Sequence, residues 1–319
     1  MKTEFPAPVL VFAYNRPAHL QKTLDALRQC DGVSDAALYV YCDGPKVGAP
    51  TETLANIKAV RVLARAQHFA KTTTVREQPQ NRGLANSVIN GVAEVLACHG
   101  RVIVLEDDLE VSPCFLRYMN HALDFYENYP AVFSIGGHSL GRRALGIPRD
   151  YPHDVFASPR ACSWGYATWR DRWARVDWRD ETSWRACLSD PRLRAAFDYG
   201  GADLSMMLRQ HMEGKIDSWL IRFMFAHFKH RAVSILPCDS LVRNIGCDGS
   251  GVHCDPTTAS GDAGRLADLE HPRFAPEILV DDRIHAALRA IVSPRKRPFK
   301  ERYAKKWRRI VGFFSSRNP

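Results

Sequence analysis

The residues best suited to chemistry are three consecutive acids, Glu106-Asp107-Asp108, which follow directly on the apolar run Val102-Ile103-Val104-Leu105. Carboxylates at the end of a hydrophobic run are costly unless they meet solvent or a cation. A hard divalent ion takes oxygen ligands and can bridge a carboxylate to phosphates. The competing reading is a solvated acidic turn, or Asp107 or Asp108 capping a helix near Pro113. Asn81-Arg82-Gly83 is a second group of interest. A helix opening at Gly83 would offer free amides to an anion, and Arg82 a charge-assisted contact to phosphate. Cys247, His253 and Cys254 invite a zinc reading, but even with Cys238 they lack the paired Cys-x-x-Cys spacing of a structural site.

The elements that must position these groups alternate between strand and helix. Val9–Ala13 reads as a buried strand, and Pro17 with Leu20, Leu24 and Leu27 as the helix after it. Ala37–Cys42 is a second strand, stopped by the turn Asp43-Gly44-Pro45. Leu54, Ile57, Val60 and Leu63 mark a second helix, and Thr72–Arg76 a third strand. The helix after Gly83 carries Leu84, Val88, Val92 and Val95 on one face, and Arg101–Leu105 is the fourth strand. Repeated β-α units of this kind imply an α/β fold, a doubly wound and mostly parallel sheet. In such sheets ligands sit beyond the carboxyl ends of the strands. Asn15-Arg16, Asp43 and Glu106-Asp107-Asp108 all fall at such ends. The second half is less regular. Residues 136–154 read as a long loop and a Trp-rich stretch follows. Helices are expected at 203–213 and 218–229, a strand at Val233–Leu236, and a loop over 244–264.

Three segments in this order, Pro8-Val9-Leu10-Val11-Phe12-Ala13-Tyr14-Asn15-Arg16-Pro17, Asn81-Arg82-Gly83-Leu84 and Leu105-Glu106-Asp107-Asp108-Leu109-Glu110-Val111-Ser112-Pro113, resemble a glycosyltransferase of the GT-A (Rossmann-like) fold. The acidic stretch is similar to that fold's Asp-x-Asp motif in its Glu-Asp-Asp form, as in the N-acetylglucosaminyltransferase I family and, more distantly, the family 2 bacterial transferases. The resemblance spans roughly residues 8–255. It implies Asp108 as the ligand of Mn²⁺ or Mg²⁺, with Glu106 and Asp107 contacting ribose, sugar or metal shell. It implies that Ala13, Asn15 and Arg16 hold the nucleotide and that Asp43, otherwise a plain turn former, contacts the base. Asn81, Arg82 and Gly83 would lie near nucleotide or pyrophosphate. Cys162-Ser163-Trp164-Gly165-Tyr166-Ala167 resembles the segment near donor sugar and acceptor, which implicates Trp164 and Gly165. Trp169 and Trp173, at helical spacing, read as core. Inverting transfer needs a carboxylate base, and Lys215-Ile216-Asp217-Ser218-Trp219 resembles the segment that supplies it. Asp217 is therefore either the base or the N-cap of 218–229, with Asp203, Glu213 and Asp239 as competitors. Retaining chemistry would need no such base. His253 falls in a loop that closes on donor in these enzymes.

Composition sets the remaining bounds. The chain has 319 residues, 45% hydrophobic and 25% charged, as a soluble globular protein would. No apolar run approaches the ~20 residues of a membrane-spanning helix, and the opening residues do not read as a secretory signal. Nine scattered cysteines suggest reduced thiols and a cytoplasmic setting. The net charge of +9 is localised: residues 295–319 hold ten Lys or Arg and one acid, leaving 34 of each sign elsewhere. A balanced body argues against a nucleic-acid-binding domain. Two units are expected, a transferase domain over 1–290 and a basic amphipathic C-terminal tail over 291–319. Tyr303, Trp307, Ile310 and Phe314 interleave with the basic residues at helical spacing, which suits an anionic membrane surface. The combined expectation is a hexosyl- or N-acetylhexosaminyltransferase at the cytoplasmic face of the inner membrane. It would use a nucleotide-sugar donor, UDP-linked, and a glycan or lipid-linked acceptor, as in bacterial surface polysaccharide synthesis. The alternatives are a sugar-nucleotide nucleotidyltransferase and a non-catalytic membrane or RNA adaptor. The former would show a Gly-rich loop where this chain has Tyr14-Asn15-Arg16-Pro17.

Overall fold

The computed structural model of the protein describes residues 6–248 and 266–293. The strands are β1 (Val9–Ala13), β2 (Ala37–Cys42), β3 (Thr72–Glu77), β4 (Arg101–Glu106), β5 (Leu109–Val111), β6 (Val132–Gly136), β7 (Val155–Ser158), β8 (Tyr166–Trp169), β9 (Val233–Pro237) and β10 (Val242–Asn244). Eight of them form one sheet in the order β3-β2-β1-β4-β8-β6-β9-β7, and β5 pairs with β10 in a separate antiparallel ribbon. β1 lies parallel between β2 and β4, with Val11 opposite both Val40 and Leu105. All five of its residues are buried and apolar, as a strand covered on both faces must be. Val9, Val11 and Ala13 enter one core, Leu10 and Phe12 the other.

Helices supply the two covers. α1 (Pro17–Arg28), α2 (Thr51–Arg65), α3 (Leu84–His99), α4 (Phe115–Phe125), α5 (Gly141–Leu145), α6 (Arg170–Trp173), α7 (Glu181–Ser189), α8 (Pro191–Phe197), α9 (Leu204–Met212), α10 (Trp219–His230) and α11 (Asp282–Val292) follow in chain order. α1, α2 and α4 pack on the face of Val11, and α3 with α6 to α10 on the face of Phe12. The expected stripe of α2 is only partly buried: Ile57 and Val60 enter the core, whereas Leu54 is exposed. Trp169 and Trp173 are buried core residues, but not on one helix: Trp169 ends β8 and enters the core of Val11, and Trp173 ends α6 and enters that of Phe12.

The sheet departs from the β-α pattern in its second half. β8 runs antiparallel between β4 and β6, and β7 antiparallel to β9, so four of the seven pairings in the large sheet are parallel. Residues 136–154 are not one loop, because Gly136 ends β6 and α5 forms within the stretch. Among the described residues no helix is long and apolar enough to cross a membrane. Cys30, Cys42, Cys98, Cys114, Cys162, Cys187 and Cys238 are free thiols. Cys247 is disulfide-bonded, a departure from the all-thiol expectation that no paired spacing in the sequence announced. The basic residues of the tail, and His253, lie outside the described residues.

Candidate functional site

The three acids do not cap a helix. β4 turns at Asp107-Asp108 into β5, and α4 starts seven residues beyond the turn, with Cys114 as its N-cap and no side-chain cap. The turn is held from two sides. Thr23 of α1 donates to the Asp107 carbonyl at 2.9 Å and accepts from Leu109 N at 3.2 Å. From the other side, Ile245 N donates to the Asp108 carbonyl at 2.8 Å, just beyond the β5–β10 pairing of Leu109 with Asn244.

The side chains share one cation. Arg16, from the end of β1, donates to Asp107 Oδ1 and, at 2.8 Å, to Asp108 Oδ2. Tyr14 N adds a bond to Asp107 Oδ2 at 3.3 Å. Asp108 Oδ1 is buried and has no hydrogen-bond partner among the described residues. Burial and the charges of Asp108 and Asp107 push Glu106 up to about 8, with only Arg16 pulling the other way. Burial, with the charge of Asp108, also lifts Asp107, against the pull of Arg16 and the Tyr14 amide. For Arg16 burial acts downward, yet the two acids hold its pKa above the ordinary value. Three acids and a single guanidinium leave a local excess of negative charge, which adds to burial in raising the acids and outweighs burial in holding Arg16 charged. Gly246 closes over this group, and a Cβ there would collide with Asp108 Oδ2 and crowd Arg16.

The end of β2 is built in the opposite way. Asp43 Oδ1 accepts from Gly44 N at 2.8 Å and Arg82 N at 2.9 Å; Oδ2 accepts from Asn81 Nδ2 at 2.9 Å and Gly83 N at 3.2 Å. Asp43 N in turn donates to Ala13 O at 2.9 Å, joining the ends of β1 and β2. Asp43 is thus the clamp that shapes the 81–83 turn. The Arg82 and Gly83 amides, expected to be open to an anion, are taken by its carboxylate. Gly83 has φ +77° and precedes α3, where an L side chain would be strained. The Arg82 side chain is exposed and Asn15 half-buried beside Arg16.

Asp217 is brought to the same turn: its Oδ2 lies 3.7 Å from where a Gly83 Cβ would stand. It is not the cap of α10, because Ser218 accepts from Ile221 N and fills that role. Arg222 donates to Asp217 Oδ1 at 3.3 Å, and the carboxylate is otherwise exposed. Its competitors are committed elsewhere. Asp203 makes a two-pronged pair with Arg160 at 2.8 and 2.9 Å, Asp239 pairs with Arg142 at 2.8 Å, and Glu213 with Lys215 at 2.6 Å.

Trp164 is half-buried at the start of β8, its ring 4.6 Å from that of His138. Gly165 has φ +66°, and a Cβ there would press on Val242 and Leu105, so only glycine lets β8 enter the sheet at this point. The sequence reading did not single out His138, Thr23, Arg222 or Gly246. His138 carried a readable signal, the pair Gly136-Gly137 before it at the end of an apolar run. The other three are revealed only by contacts across the chain.

The acid group suits a cation on its own chemistry: all its donors are hard oxygens, and Asp108 offers a buried carboxylate oxygen with nothing on it. Among the described residues no three His, Cys, Asp or Glu side chains converge on one point. A bound ion would therefore complete its shell with water and substrate phosphates, as Mg²⁺ commonly does. A small cavity of about 40 Å³ opens beside Asp43 and Arg82, lined also by Tyr41 and Ser87. Among the described residues the Ser87 hydroxyl is buried without a hydrogen-bond partner. A larger hollow of about 440 Å³ lies by Arg65, His68 and Thr72, at the amino end of β3 and away from the acids.

No family model matches the chain, and no curated protein matches it. Solved structures similar to it include a mannosyltransferase from Pyrobaculum calidifontis in complex with GDP-Man and Mn²⁺, at 14% identity and TM-score 0.41, covering 72% of this chain and 70% of that one. Mouse xyloside xylosyltransferase 1 is similar at 11% identity and TM-score 0.36, covering 70% and 82%. The galactosyltransferase LgtC, with donor and acceptor sugar analogs, is similar at 12% identity and TM-score 0.35, covering 69% and 70%. Likenesses this distant assign no residue and no activity.

Proposed function

We propose that the protein is a metal-dependent GT-A glycosyltransferase that moves a hexosyl or N-acetylhexosaminyl group from a UDP-linked donor to a glycan or lipid-linked acceptor. The observation that carries the reading is the buried, unpartnered Asp108 Oδ1 in a group of three acids served by one arginine, at the carboxyl end of β4. The finer likeness to the N-acetylglucosaminyltransferase I family rests on the motif residues alone.

In this reading Asp108 holds Mn²⁺ or Mg²⁺, with Asp107 and Glu106 next to it. The ion supplies neutralisation of the charge that develops on the leaving diphosphate. Asn15, Asp43, Asn81, Arg82 and Gly83 frame the nucleotide, Asp43 by fixing the turn rather than by offering a free oxygen. Asp217 takes the proton of the acceptor hydroxyl as its oxygen attacks the anomeric carbon. The new C–O bond forms as the anomeric C–O bond to the diphosphate breaks, and the diphosphate leaves with that electron pair. Arg222 holds one Asp217 oxygen and leaves the other toward Gly83.

The test is release of nucleoside diphosphate from a panel of UDP-, GDP- and dTDP-sugars, with Mn²⁺ and with EDTA. Metal-dependent release from one donor supports the reading, and release from none rejects it. The tail, by its charge and aromatic residues, docks the enzyme on anionic lipid. Co-sedimentation with phosphatidylglycerol vesicles but not phosphatidylcholine vesicles is expected, and equal behaviour with both would refute the docking.

A further inference from the structure

His138 is a half-buried imidazole that neither the motifs nor the proposed reaction has used. Its Nδ1 lies 3.1 Å from Val242 O and 3.0 Å from Ser240 Oγ. The Ser240 hydroxyl donates its one proton to the same Val242 carbonyl at 2.7 Å. Both neighbours of Nδ1 are therefore acceptors, so Nδ1 carries the hydrogen, and in the neutral ring Nε2 carries the lone pair. Burial lowers the His138 pKa and favours that neutral ring. Nε2 has no hydrogen-bond partner among the described residues. The ring is fixed on one side and has an open acceptor on the other.

The sheet register says where that acceptor is. Val104 of β4 and Gly136 of β6 both stand opposite Tyr166 of β8. Glu106 and His138 each lie two residues further toward the carboxyl end, and Trp164 two residues before Tyr166, at that same end. Glu106, Trp164 and His138 thus stand at the same end of three neighbouring strands, with Trp164 packed toward the core of Val11. Two strand spacings separate β4 from β6, roughly 10 Å. The Gly137 amide donates to Gly165 O at 2.7 Å, locking the two turns together. A Cβ on Gly137 would strike Phe115 at 2.6 Å and Val242 at 2.8 Å, so this close approach requires glycine. The result is an aromatic ring and a directed hydrogen-bond acceptor, edge to face at 4.6 Å, beyond the acids on the side away from Asp43.

We propose that His138 and Trp164 form the acceptor-sugar subsite, Nε2 accepting a hydrogen bond from a sugar hydroxyl while the indole covers the sugar's C–H face. This rests on the transferase reading. A flat ring beside one fixed polar atom fits a pyranose, whose faces are apolar and whose rim carries hydroxyls. Placement next to the donor position but outside the acid group fits the acceptor rather than the nucleotide.

The test uses the full chain and the donor found by nucleotide release, with methyl glycosides of glucose, galactose, mannose and N-acetylglucosamine as acceptor probes. Transfer and donor hydrolysis by water are both measured for wild type, His138→Ala, His138→Gln and Trp164→Ala. The alanine variants should raise the acceptor KM about tenfold or more, the loss of one good hydrogen bond or ring contact. In the His138 variants donor KM and donor hydrolysis should stay within about twofold, which also reports an intact fold. Gln keeps an acceptor oxygen and should recover most of the loss. An unchanged acceptor KM in His138→Ala, or hydrolysis falling in step with transfer, overturns the subsite. A wild-type protein that releases no nucleotide from any donor overturns the transferase reading, and the subsite with it.

Discussion

Two strand ends lie one strand apart in this sheet and treat a buried carboxylate in opposite ways. At the end of β2, Asp43 accepts four hydrogen bonds from its own chain, and both oxygens are satisfied. At the end of β4, Asp108 shares one guanidinium with Asp107 and keeps a buried oxygen bare. A buried charge that is fully bonded serves the fold, whereas one left bare costs stability and is tolerated where a ligand will meet it. The difference separates positioning from chemistry within a single row of strand ends.

Substitutions can break that contrast. The largest expected effect is at Asp108. Asp108→Ala should lower turnover about 10³-fold, the scale of losing a charge-stabilising group in an active site. Asp108→Asn, which removes the bare charge, should leave the metal-free protein at least as resistant to urea as wild type. Next is Asp217→Asn, expected to cut turnover about 10²-fold, as loss of a general base does, with donor binding unchanged by calorimetry. Asp43 should behave in reverse. An amide NH₂ cannot accept from Asn81 Nδ2 or Gly83 N, so Asp43→Asn strands two donors and should cost about 2–4 kcal/mol in urea unfolding. A D43N protein of wild-type stability would dissolve the distinction.

The smallest effect is one of pH. Glu106 titrates near 8 in the folded protein, against an ordinary 4.5 when unfolded. Between these values the unfolded chain has released a proton that the folded one keeps, so stability falls as pH rises from about 4.5 to about 8, and levels above. Glu106→Gln should flatten this slope in thermal melts. His227, in α10 on the same face of the sheet, gives the opposite sign. Its ring is buried between Phe223 O and Ser234 Oγ, and burial lowers it from 6.5 to about 4. Its contribution is present above 6.5 and lost as pH falls toward 4. A Glu106→Gln protein should keep this acid limb, and loss of both limbs together would show that neither is local.

Much of the first half was legible because continuous apolar runs and turn residues mark parallel strands without ambiguity. β1 and β2 fall where their apolar runs ended, and the acids stand at the end of β4 as expected. In the second half α9, α10 and β9 also fall where expected, but β7 and β8 were not legible, because they are four residues each and pair antiparallel across long stretches of chain. So short a run carries no periodicity to distinguish strand from loop. The same limit hid part of the site. Asp43 was legible as a strand-end acid, but its use as a clamp depends on amides some forty residues away. That Ser218, not Asp217, caps α10 follows from a single side-chain bond that either residue type could make.

The most direct test of the contrast is calorimetric titration of wild type, Asp108→Ala and Asp43→Asn with UDP, GDP, CMP and dTDP, each with Mn²⁺ and with EDTA. Binding of one nucleotide, UDP first, is expected; it should need Mn²⁺ in wild type, be lost in Asp108→Ala, and persist in the folded fraction of Asp43→Asn. Binding that ignores EDTA and survives in Asp108→Ala, or no binding of any nucleotide by the wild type, would contradict it.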